Sequence, residues 1–105
     1  MTYTFKKWTW GPDVREEELR AMMRSEGLSP YVWSNGPSFV YSTHSHSYTK
    51  VLLVVRGSVT FHLPDSQEDI VLEAGDRLEL PSRMPHAATV GPEGVTCLEA
   101  AKRVR

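Results

Sequence analysis

The sequence predicts an all-β sandwich or small barrel with one helix at its front. Three observations carry that reading. Short aromatic and β-branched runs recur at close spacing, and Gly, Pro, Asn and Asp punctuate them. Only the stretch from Asp13 to Gly27 has helical periodicity.

Residues 3–10, rich in Tyr, Phe, Trp and Thr, predict a first strand that Gly11-Pro12 breaks. Asp13 is expected to cap the helix, with Glu16 completing a box-like start and Glu17 and Glu18 favourable to its dipole. Leu19, Met22 and Met23 share one apolar face, which packs a short helix onto a sheet more readily than it binds a partner. Gly27 stops the helix. Strands follow at Tyr31–Trp33, Phe39–Tyr41 and Lys50–Arg56, and Gly57 is expected to turn the chain. Val59, Phe61 and Leu63 then alternate with Thr60 and His62, one face in and one out. Ile70–Glu73, Leu78–Leu80 and Val95–Ala100 complete six to eight short strands, with Ala74-Gly75-Asp76 as a turn.

A chain of 105 residues predicts one domain, 1–105, divided into a strand-and-helix extension over 1–32 and a barrel over 33–101. Twelve Lys and Arg against thirteen Asp and Glu leave a net charge of −1, which argues against a nucleic-acid partner. The basic tail Lys102, Arg103, Arg105 reads as a solvated terminus. No apolar run approaches the ~20 residues of a membrane span, and the N-terminus lacks the apolar stretch of a signal peptide. Cys97, the single cysteine, excludes an internal disulfide framework and any multi-cysteine zinc site. A cytoplasmic protein without membrane contact is the expectation.

His44 and His46 stand two residues apart, so on an extended strand both imidazoles project from one face. Two such rings can converge on one ion at about 2.1 Å. His86 follows the stiff turn Pro81-Ser82-Arg83-Met84-Pro85, which can return it to the same place. Spacing alone leaves surface decoration as an equal alternative.

The wider setting is more specific. Gly36, His44-Ser45-His46, Lys50 and Gly57 resemble the first sequence motif of the cupin superfamily. Gly75, Pro81 and His86 resemble its second motif, so the likeness spans residues 36–90. It implies a cupin barrel (a double-stranded β-helix or jelly roll) with an N-terminal strand and one short helix. It also implies a divalent metal ion, Fe, Zn, Ni or Mn, held by His44, His46 and His86. A three-histidine site of this kind is similar to those of thiol dioxygenases and some diketone-cleaving cupins, but the superfamily spans many activities and binding roles.

Three positions depart from the motifs: Lys50 stands where the first has an acid, Arg83 where the second has a glycine, and Val90 where it has an asparagine. Lys50 has the strand parity of the two histidines, and an ammonium repels a cation, so it cannot replace a carboxylate ligand. It is expected to pair with an acid such as Glu79, to hold an anionic substrate, to lose its proton, or to snorkel to the barrel mouth.

Lys50 and Tyr48 are the candidate catalytic residues, and Arg83 is a candidate carboxylate anchor. The bland readings are a rim tyrosine and an exposed loop arginine. His62 is expected at the surface, Cys97 as a buried hydrophobe, and Trp33, Phe39 and Tyr41 as barrel lining. Three functions stay open. One is a metal-dependent enzyme, dioxygenase-like or otherwise, on a small anionic molecule; another is a non-catalytic metal- or metabolite-binding module; the third is a metal-free barrel. A homodimer is expected, because Tyr3, Phe5, Trp8 and Trp10 give a free edge too much apolar surface, with a swapped N-terminal strand as its form.

Overall fold

The computed structural model describes residues 2–102. In chain order its elements are β1 (Thr4–Lys6), α1 (Glu16–Ser25), β2 (Tyr31–Asn35), β3 (Val40–His44), β4 (Thr49–Leu63), β5 (Glu68–Glu73), β6 (Arg77–Leu80) and β7 (His86–Lys102). All pairings are antiparallel, and β4 and β7 organise them, paired from Thr49↔Lys102 to His62↔Ala87. The first half of β4 and the second half of β7 carry β6, β1 and β2 beside them. The other halves carry β5 and β3. Two half-sheets therefore fold over one interior, joined through the bent central pair.

The bend corrects an expectation. Gly57 does not turn the chain; β4 runs through it, with register shifts between Val54 and Arg56 and between Gly57 and Val59. Gly57 has φ +80°, and a Cβ there would lie 2.0 Å from the Gly94 carbonyl oxygen. Two backbones press together at the corner, where only glycine fits. The last strand is likewise longer than Val95–Ala100, because Gly91 to Gly94 bends within β7 instead of ending it.

The N-terminus differs in two further ways. The first strand is only Thr4–Lys6, because the buried Asp76 carboxylate accepts the Trp8 N–H at 2.9 Å and pulls the chain out of the ladder. β1 pairs with β6, Phe5 across from Leu78. Asp13 does not cap α1: the helix starts after Arg15 with no side-chain cap, and Asp13 accepts from Arg15 Nε instead. Glu16, Glu17 and Glu18 still place negative charge at the positive helix end. Gly27, at φ +82°, ends it, with Leu28 N–H donating to the Met23 carbonyl. The basic tail from 103 onward lies outside the described residues.

Alternation along β4 sorts two cores. Leu52, Val54, Phe61 and Leu63 face the interior with Leu72, Leu80 and Cys97. Val51, Leu53 and Val55 face outward under Leu19 and Met23 of α1. Both helix residues are fully buried, worth roughly 1.5–3 kcal/mol each. Among the described residues, no helix is long and apolar enough to cross a membrane.

Candidate metal centre

His44 ends β3 and lies directly across from His86, the first residue of β7. His46 lies beyond the strand, in the segment before β4, so strand parity does not place it. A backbone contact does: the Arg83 N–H donates to the His46 carbonyl at 2.6 Å. Arg83 holds a left-handed φ of 66° in a turn where Met84 N–H reaches the Pro81 carbonyl. The motif's usual glycine would adopt that conformation without strain.

The three rings converge. Centroids are 4.5 Å apart for His44 and His86, 5.0 Å for His44 and His46, and 5.2 Å for His46 and His86. One ligand nitrogen from each lies within 4.8 Å of the others. Two backbone carbonyls orient the rings: His44 Nδ1–H donates to Ser42 O at 2.7 Å, and His86 Nδ1–H to Met84 O at 2.9 Å. That tautomer leaves each Nε2 lone pair free, the arrangement a metal-binding imidazole needs. Nε2 of His46 and of His86 are both buried and make no hydrogen bond. A buried polar atom without a partner is costly.

Electrostatics favour the neutral, ligating form. Burial lowers the His86 pKa to about 4; the Met84 hydrogen bond opposes this, while Lys50, His44 and His46 add to it. His46 is also lowered, by burial first and then by Lys50 and His44. Three imidazoles converging on one point fit a divalent ion.

Lys50 points into the same pocket, only 7% exposed, with Nζ 5.7 Å from the Phe61 ring centroid. Its acid is not Glu79. Glu79 lies across from Val51, on the outer face, where Arg77 and Lys102 hold it. The partner is Glu99 of β7, whose Oε1 lies 3.3 Å from Nζ. Glu99 is 5% exposed and also accepts from Trp33 Nε1 at 2.9 Å and Tyr31 OH at 2.7 Å. Sequence reasoning missed it; the one available signal was a carboxylate with the parity of Val95 and Cys97, on a face that is otherwise apolar between Val95 and Ala100.

His44, His46, Lys50 and Glu99 open onto a pocket of about 270 Å³ walled by Tyr31, Trp33, Tyr41 and Phe61. Trp33 and Tyr41 meet edge to face at 5.7 Å, and the Asn35 amide donates to the Tyr41 hydroxyl. Phe39 packs on Tyr41 and stays largely exposed. Tyr48 stacks on His46 at 5.0 Å outside the pocket lining, its pKa raised by burial and then by Glu99.

Arg83 is not brought to the pocket. Its side chain is exposed and lines a separate depression with Tyr3 and Met84, because the left-handed turn points it outward. His62 is also elsewhere, bonded to Asp69 at 2.8 Å and Thr89 at 3.0 Å. The Cys97 thiol is buried, its pKa pushed up to about 12 chiefly by burial.

No protein-family model and no curated protein matches the sequence. Solved structures do. The chain is similar to a DUF861 family protein from Thermotoga maritima, with 14% identity, 96% of this chain and 100% of that chain covered, and a TM-score of 0.65. It is similar to an RmlC-like cupin from Shewanella frigidimarina, with 23% identity, coverage of 74% and 68%, and a TM-score of 0.62. It also resembles a structure of DMSP lyases, with 30% identity and a TM-score of 0.66, covering 73% of this chain but only 39% of that one.

Proposed function

We propose that this chain, which has the cupin double-stranded β-helix fold, holds a divalent metal ion through His44, His46 and His86 and acts on a small anionic molecule in the adjoining pocket. The observation that carries the reading is the pair of buried, unpartnered Nε2 atoms on His46 and His86, aimed at the same point as His44. An ion there supplies Lewis acidity and open coordination positions, and iron, zinc, nickel and manganese all suit imidazole.

The remaining steps belong to side chains. The Lys50 ammonium orients an anionic oxygen beside the three rings. Trp33, Tyr41 and Phe61 exclude water from the bound molecule and hold its apolar part. Tyr48 stacks on the His46 ring at 5.0 Å and holds it in place from outside the pocket, its raised pKa keeping the phenol protonated.

The test is turnover of a panel of small carboxylates and enolisable acids by metal-replete protein, followed by NMR with oxygen uptake in parallel. Product formation lost in His46→Ala supports an enzyme, and oxygen consumption makes it dioxygenase-like. Metal bound with no turnover across the panel overturns catalysis in favour of a binding module. The reading includes a homodimer, in which a second copy covers exposed Phe5 and Trp10. A single-chain mass by light scattering at every concentration would exclude it.

A further inference from the structure

Lys50 poses a problem that the metal reading must meet, since a buried ammonium beside three ligand rings opposes a cation. We propose that Glu99 solves it: from the neighbouring long strand, it returns to the pocket the negative charge that the first motif lacks at position 50, so that the Lys50–Glu99 pair is a charge-compensating element of the metal site. The inference rests on the proposed function and names a positioning role for a residue outside the ligand set.

The geometry is built for compensation rather than coordination. Both partners are almost wholly buried, and the ammonium and carboxylate lie 3.3 Å apart. Tyr31 fixes Oε2 of Glu99, and Trp33 shares Oε1 with Lys50, so both carboxylate oxygens are already engaged. Three donors from two strands, Tyr31 and Trp33 of β2 and Lys50 of β4, pin one acceptor, so its charge stays beside Lys50. The ammonium keeps protons that Glu99 does not take, and these face the cavity as the anchor for an anionic ligand.

A purely structural role explains the pair less well. Buried ion pairs are weak contributors to stability, and apolar replacements of similar volume are often neutral or better. Leu52 and Leu80 stand across from Glu99 and Lys50, and both belong with Cys97 to the apolar core. A barrel needing only a filled interior would take a methionine at position 50.

The experiment measures Co²⁺ affinity by the absorption of the bound ion, with urea unfolding in parallel, for wild type, Lys50→Met, Glu99→Gln and the double variant. Lys50→Met removes the positive charge and leaves Glu99 with two donors. It is expected to tighten Co²⁺ binding by at least about tenfold, since a unit charge close to a divalent ion is worth more than one decade in a partly buried site. Glu99→Gln is expected to weaken binding by at least about tenfold, and adding Lys50→Met to it should restore wild-type affinity. Should Glu99→Gln fail to fold, Lys50→Met and the double variant still decide the sign. Equal affinities in all four proteins, or weaker binding in Lys50→Met, overturn the compensation while leaving the histidine site intact. No Co²⁺ signal in wild type overturns the metal reading, and this proposal with it.

Discussion

Lowering the pH should destabilise the metal-free protein through His86, and the size of the effect follows from where the ring sits. His86 is 1% exposed and its pKa is about 4, against an ordinary value of 6.5. Between those values the unfolded chain binds a proton that the folded chain refuses, so stability falls as the pH drops from about 6.5 to about 4 and levels off below. At about 1.4 kcal/mol per unit, the loss is on the order of 3 kcal/mol, a large part of a small domain's stability. The assay is urea unfolding in the presence of a chelator at pH 7, 6, 5 and 4, for wild type and His86→Gln. His46, also lowered, loses stability in the same direction but is present in both proteins. The same cancellation removes Glu79, where burial raises the pKa but Arg77 and Lys102 together outweigh it and hold it down, so its contribution disappears only below the ordinary carboxylate range. Wild type should lose about 3 kcal/mol more than the variant. Parallel curves for the two proteins would refute the claim that His86 is held neutral.

Two further outcomes follow from the backbone. Gly57→Ala should cost about 3 kcal/mol or more, because φ is +80° and the new Cβ would meet the Gly94 carbonyl; a urea midpoint close to wild type would show that the corner can open. Arg83→Gly relieves a left-handed residue at φ 66° but frees the unfolded chain, so stability should change by less than about 1 kcal/mol. Its metal content should equal wild type, since the Arg83 side chain lies outside the pocket, and a loss of metal would place it in the site.

The parts of the site that were legible in the sequence are those fixed by local spacing. His44, His46 and His86 stand at motif positions, and the structure brings their ligand nitrogens together. For His46 the path differs from the strand-parity argument, because an Arg83 backbone contact across the fold holds it. The strands were legible as alternation, and their continuity was not. A glycine at positive φ serves a turn and a strand bend alike, so Gly57 looked like a chain reversal, and the last strand was read only from Val95 although it runs through Gly94. Only the pairing of β4 with β7 distinguishes them. Glu99 was hidden for a related reason. Lys50 finds it through the register of Leu52 with Glu99, and no local pattern encodes a partner on another strand. Asp13 looked like a cap because its spacing to Glu16 is right, but the chain turns into the helix only after Arg15.

The most direct test of the account is metal content by mass spectrometry on untagged protein purified without nickel resin, beside His46→Ala. The account predicts about one equivalent of a single divalent metal per chain in wild type and none in the variant. No metal in wild type after reconstitution with iron, zinc, nickel or manganese, or equal metal in both proteins, would contradict it.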